Sequence, residues 1–283
     1  VAAPPEFVSF LTDYGHADEF VGVCKAVMLS LAPGLTIIDV SHEIPPHDVR
    51  AGALTLVRAV QYLPEGIVVA IVDPGVGTDR RSLAVATESG ILLGPDNGLL
   101  APAVAMVGGA RLAVSLDNPE YQLPAPGPTF AGRDVFAPAA GYLAAGVPLA
   151  QLGTEVDPAS LTPGLVSLPR VEDGSVEGEV WWVDRFGNCQ LNVGPEELEA
   201  LGVTRGASLE VRWRGEARMA RWVGTYADAK PSELVIVVDS YGLLALALDR
   251  RAASAEYGFA AGTSVTLVTP NASGAEPQRG DHP

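Results

Sequence analysis

Apolar residues recur along the first half of the chain in two alternating rhythms. Strand-like runs at 7–13 (FVSFLTD), 35–41 (LTIIDVS) and 66–73 (GIVVAIVD) are separated by longer helix-like segments at 19–34 and 48–64. That βαβαβ order predicts a parallel sheet covered by helices. Shorter strand candidates follow at 82–88, 90–94 and 111–117, then a helical segment over 134–146. Between about 156 and 175 the text turns to Pro, Gly, Ser and Asp without sustained periodicity, which predicts a linker. Beyond it, short runs rich in Val, Trp and Thr occur at 176–184, 207–215, 217–226, 233–240, 242–249 and 264–269, punctuated by Gly or Asn. They predict a small β-barrel or sandwich. The polar stretch after 269 is expected to be disordered, and no internal repeat is evident.

Composition narrows the class. With 283 residues, 48% of them hydrophobic, the chain can bury one large or two moderate cores. Its apolar runs are strand-sized, short of the roughly 20 residues that a membrane helix needs, so no membrane partner is expected. The first residues carry neither a basic nor an apolar leader region, and a cytoplasmic location is the expectation. A net charge of −16 and the lack of a Lys/Arg cluster exclude a polyanion-tracking protein, so no nucleic-acid partner is expected. Cys24 and Cys189 lie far apart, without metal-type spacing, and read as buried free thiols.

Ligands in open parallel sheets bind beyond the carboxyl ends of the strands. Asp13 ends the first strand and Asp73 the third, while Asp96 and Asn97 follow a further strand-like run. Residues 71–81, IVDPGVGTDRR, resemble a phosphate loop but lack its third glycine and its Lys-Ser/Thr ending. In HEIPPH, Pro45 and Pro46 prevent the helix that would align His42 and His47 on a zinc ion. No metal site is expected, and without a Gly-x-Ser-x-Gly elbow acyl transfer has no support. In WWVDRFGNCQLN, residues Asp184, Phe186, Asn188 and Asn192 form either a hairpin turn or a site for a ligand with an ammonium and a flat ring. Ser240 and Tyr241, at a strand end, read as a turn or a polar clamp.

In order, FLTDYG, SHEIPPHDVRAGA, VDPGVGTDRR, LLGPDNGLL, TFAGRDVFAP, DRFGN and DSYGLL resemble the S-adenosylmethionine hydroxide adenosyltransferases, or SAM hydrolases, relatives of the SAM-dependent fluorinases and chlorinases. The resemblance runs from Phe7 to about Thr269. It implies an α/β fold in two parts: an N-terminal α/β domain with a mainly parallel sheet over 6–165 and a C-terminal small β-barrel over 175–269, followed by a disordered tail at 270–283. It further implies a homotrimer with sites between subunits. SAM is the implied substrate, with no cofactor, because the sulfonium is already a good leaving group. Water or hydroxide attacks the ribose C5′, giving adenosine and methionine.

By the same resemblance Asp73 accepts the proton of water and Arg80 stabilises developing hydroxide. Asp13 grips the ribose hydroxyls, and Asp184 and Ser240 hold the ammonium and carboxylate of methionine. Phe186, Asn188 and Tyr226 surround the adenine, and His47 is a wall residue. One departure stands out. The hydrolases have histidine before Gly-Arg-Asp, and this chain has Ala131, whose methyl group can neither accept nor relay a proton. A slow or inactive enzyme is implied, whether an altered hydrolase, a weak natural variant or a member drifted toward halide. Gly132 matches the chlorinases, whereas Asp73 stands where halogenases have tyrosine and repels an anion. A non-catalytic SAM or adenosine binder is the remaining alternative.

Overall fold

The three long apolar runs of the first half become strands β1 (Phe7–Thr12), β2 (Thr36–Ser41) and β3 (Gly66–Ile71), paired in parallel in the order β2-β1-β3. Every residue of β3 is buried, as a strand covered on both faces should be. Its Ile67, Val69 and Ile71 share a core with Val8 and Phe10 of β1 and with Cys24 and Met28 of helix α1 (Phe20–Leu31). Val72, just past β3, faces helix α2 (Val49–Val60) at Gly52, where a Cβ would stand 2.9 Å from the valine methyl. Glycine there lets the helix lie close to the sheet. Asp48 starts α2 by accepting a hydrogen bond from the Ala51 amide at 2.9 Å.

The computed structural model describes residues 4–164 and 167–269, and these two stretches form two compact units. In the first, the sheet continues with β4 (Ser82–Ala86), β5 (Gly90–Pro95), β6 (Leu112–Ser115) and β7 (Thr154–Val156), in the order β2-β1-β3-β5-β4-β6-β7. Strand β5 pairs in parallel with β3, but the pairings β5–β4, β4–β6 and β6–β7 are antiparallel. The parallel character expected from the sequence therefore belongs to β2-β1-β3-β5. Residues 87–89 are too few for a crossover helix, so the chain must turn straight back on itself. Helix α3 (Ala101–Met106) follows β5. Helix α4 (Ala137–Ala144), entered through one π turn over Gly132–Phe136, packs on α1 with Gly141 against Met28 and Leu31.

The second unit holds β8 (Arg170–Glu172), β9 (Ser175–Val183), β10 (Cys189–Leu191), β11 (Ser208–Trp213), β12 (Glu216–Trp222), β13 (Val235–Val238), β14 (Leu244–Ala247) and β15 (Ser264–Val268). Strand β10 pairs with both β14 and β9, which closes a seven-stranded barrel, and β8 is appended to β9. The core is filled by Val180, Leu209, Trp213, Trp222 and Leu246. The six predicted runs become β9 and β11 to β15. Strands β8 and β10 and helices α5 (Pro195–Ala200) and α6 (Ala253–Tyr257) escape prediction because three to six residues show no period. Strand β8 also occupies part of the stretch read as linker. The expected tail at 270–283 and the end of the first expected domain at 165 lie outside the described residues.

Among the described residues no helix is long and apolar enough to cross a membrane. Cys24 and Cys189 are buried and free, and burial pushes both thiols up to about 12.

Candidate active site

Parallel pairing of β1 with β3 sets Thr12 beside Ile71, so Asp13 and Asp73 emerge at the same carboxyl edge. The Gly-Val-Gly segment is a tight turn after β3: Val76 N–H donates to the Asp73 carbonyl at 3.3 Å, and Gly77 has φ +80°. The turn brings Arg80 back onto Asp73. Arg80 Nε donates to Asp73 Oδ1 at 2.8 Å, its second nitrogen donates to Oδ2, and its third donates to Ser82 Oγ at 2.7 Å. This two-pronged pair has side chains only 13% and 6% exposed, and the guanidinium carbon lies 5.8 Å from the centre of the Phe136 ring. Arg81, its neighbour in sequence, points elsewhere. It binds Asp96 Oδ2 through Nε at 2.8 Å and the Ser160 carbonyl at 2.6 Å.

Asp73 lines a cleft of about 610 Å³ together with Asp13, Tyr14, His47 and Ala131. Arg80 lines a second cleft of about 510 Å³ with Ser82 and Asp134. Ala131 borders both, as do Pro126 and Gly127. Asp13 accepts the His47 amide on Oδ2 at 2.9 Å, and His47 adopts φ +67°, a strained geometry for a residue with a Cβ.

Other polar residues have structural duties. Asp96 also accepts the Thr162 amide at 2.8 Å, and Asn97 donates to the Val72 carbonyl at 2.9 Å. Neither residue lines the two clefts. His42 is buried, shares hydrogen bonds with Thr12 Oγ1 at 2.8 Å and Asp39 Oδ1 at 3.1 Å, and is held below the usual imidazole range, chiefly by burial. It is engaged apart from His47.

In the second unit Phe186, Asn188 and Tyr226 line one cleft of about 410 Å³, with Arg250 and Ala252 beside them. Phe186 is 78% exposed and Tyr226 44%. Burial, and then the charges of Asp184 and Asp239, push the Tyr226 phenol up. Asp184 organises the turn that carries Phe186 and Asn188. Its Oδ1 accepts the amides of Phe186 at 2.8 Å and Asn188 at 2.9 Å, and its Oδ2 accepts Asn188 Nδ2 at 2.8 Å. Ser240 is exposed in the following turn and does not line that cleft.

That turn was not read as a partner of the first, yet it repeats it. Asp239 Oδ1 accepts the amides of Tyr241 at 2.8 Å and Leu243 at 3.1 Å, and Gly187 and Gly242 share φ +82°. The shared spelling Asp-x-aromatic-Gly in DRFG and DSYG was the available signal. Tyr14 and Ser82 were also missed. Tyr14 directly follows Asp13, but a tyrosine beside an acid carries no pattern of its own.

Comparison with known proteins agrees with this division. The profile of the SAM hydroxide adenosyltransferase N-terminal domain matches residues 8–153, and that of the C-terminal domain matches residues 178–266. The (R)-S-adenosyl-L-methionine hydrolase of Salinispora tropica is 47% identical over 247 residues, covering 87% of this chain and 92% of that protein. A fluorinase of an Actinoplanes species is 31% identical over 289 residues, covering 92% and 97%. A crystal structure of an uncharacterized conserved protein from Thermotoga maritima superposes with a TM-score of 0.85 at 33% identity, covering 92% of this chain and 99% of the other. The chain belongs to the SAM hydroxide adenosyltransferase family.

Proposed function

We propose that this chain hydrolyses S-adenosyl-L-methionine to adenosine and L-methionine. The observation that carries the reading is the shielded Asp73–Arg80 pair, set beside Asp13 at the carboxyl edge of β1 and β3. Water is a weak nucleophile, and a fixed carboxylate that takes its proton while a fixed cation steadies the oxygen addresses that weakness. The water oxygen bonds to C5′ as the C5′–S bond breaks, its electron pair stays on the methionine sulfur, and the proton passes to Asp73. Asp13 accepts hydrogen bonds from the ribose hydroxyls, and His47 walls the cleft.

Phe186, Asn188 and Tyr226 receive the adenine, which the 410 Å³ cleft they share supports. Asp184 and Ser240 receive the methionine ammonium and carboxylate. With three hydrogen bonds already accepted, Asp184 has about one lone pair left for that ammonium. The sulfonium sulfur is a stereocentre, and the name of the Salinispora relative specifies its (R) form, which we carry to this chain as substrate. No cofactor is required in this reading. A homotrimer acting in the cytoplasm belongs to the same proposal, and light scattering on the purified chain tests the trimer.

Ala131 sets the rate. With alanine lining both clefts, Asp73 works without a third proton-relaying group, so Ala131→His should raise kcat roughly tenfold or more. The deciding experiment incubates the protein with SAM in buffered water, with and without chloride, and separates adenosine from 5′-chloroadenosine. Adenosine formed at the same rate in both supports the proposal. A chlorinated product overturns it in favour of halide transfer. SAM binding without any product, before and after Ala131→His, overturns it in favour of a binding protein.

A further inference from the structure

Gly132 stands immediately beside Ala131, and the space its missing side chain leaves is already filled. A Cβ built there would overlap the Tyr14 hydroxyl, and would lie 3.1 Å from both Cε2 and Cζ of the same ring. Tyr14 has little room to give way. Phe20 and Phe130 each meet its ring edge-on at 5.8 Å, those two rings contact each other at 5.1 Å, and the Tyr14 amide donates to Thr12 Oγ1 at 3.2 Å. The phenol therefore occupies a fixed place in the cleft lined by Asp13, Asp73 and Ala131.

We infer that Tyr14 is a specificity-determining residue of this site: it takes the space of a side chain at position 132 and offers its hydroxyl as a fixed donor to the oxygen nucleophile. The inference rests on the hydrolase reading and deepens it. An attacking water that loses its proton to Asp73 gains negative charge on oxygen, and that oxygen is best met by donors already in place. Arg80 uses one nitrogen on Ser82 and two on Asp73, so a neutral donor in the cleft that Asp73 lines complements it. Burial, above all, and then the charges of Cys24, Asp13 and Asp73 hold the phenol well above its ordinary range. It thus remains protonated and serves as a donor, never as a base.

The packing claim is tested by a double-mutant cycle on thermal stability, which needs no turnover. Gly132→Ala should lower the melting temperature by several degrees in the parent and by clearly less in the Tyr14→Phe background, where the overlapping oxygen is gone. Equal losses in both backgrounds would overturn the shared space. The donor claim is tested on adenosine formation in the parent and in the Ala131→His chain. Tyr14→Phe should lower kcat by roughly 10- to 100-fold with KM for SAM little changed. An unchanged kcat, or a loss confined to KM, would overturn the donor role while leaving the hydrolase reading intact. Failure of the hydrolase reading itself shows separately, as no adenosine from either chain before Tyr14 is altered.

Discussion

Asp73 and Asp184 both follow the end of a strand, and the two acids are used in opposite ways. Asp73 reaches across seven residues to a cation, in an ion pair that touches a cleft, whereas Asp184 folds its carboxylate back onto the amides of its own turn. The first arrangement stores charge where a reaction can use it. The second stores shape, setting out Phe186 as an exposed ring, and Asp239 does the same for Tyr241. Equal residue types at equal places in strands are thus held differently according to where their hydrogen-bond donors come from.

The sharpest way to break this contrast is Asp73→Asn. The amide keeps the shape and loses the charge, so adenosine formation should fall by roughly 100-fold or more, and the shielded Arg80, left without its counter-charge, should also lower the melting temperature. A large stability loss with unchanged turnover would erase the distinction.

Asp184→Ala should cost stability as well as the contact to the methionine ammonium. Three hydrogen bonds are lost from the turn, which at about 1 kcal/mol each costs about 2–3 kcal/mol in urea unfolding. Asp239→Ala, which loses two matching amide bonds and one from Gln190 Nε2, should cost about as much. Phe186→Ala removes a side chain that is 78% exposed, so unfolding should be nearly unaffected while KM for SAM rises about tenfold.

The smallest effect concerns His42, which bonds Thr12 next to Asp13. His42, faced by Asp39, Lys25 and His16, is held below its unfolded range. The unfolded chain therefore binds the proton more readily, so the stability from neutral His42 is complete above about pH 6.5 and declines as pH falls toward the depressed folded value. Asp39, also held low, adds a loss in the same direction at more acidic pH. A melting curve measured from pH 7.5 to 5 should show this decline, and His42→Asn should flatten it.

Much of this arrangement was legible in the chain. Asp13 and Asp73 stood out because strand-length apolar runs end on them, and the parallel pairing that unites them follows from the helical segments between. The antiparallel half of the sheet was less legible, since residues 82–94 look alike whether they pair forward or back. What separates Arg80 from Arg81 was legible only through the family resemblance, and not from spacing or charge. Two adjacent arginines differ only in which acid the turn presents to each, Asp73 or Asp96, and that is a property of three dimensions. The role of Gly132 was hidden for the same reason. Its need to lack a side chain comes from a ring more than a hundred positions earlier.

The π turn over Gly132–Phe136 has a further consequence for length variation. A π turn closes between residues five apart, as the Ala137 amide does on the Gly132 carbonyl, and so holds one residue more than an α turn. Deleting a single residue within it would relax the segment to ordinary α geometry and leave α4 packed on α1. The residues on either side of the turn would keep their relative places, because a π turn holds its extra residue as a local bulge. Ala131 and Gly132 would stay beside the clefts, and only the side chains within Arg133 to Phe136 would point differently.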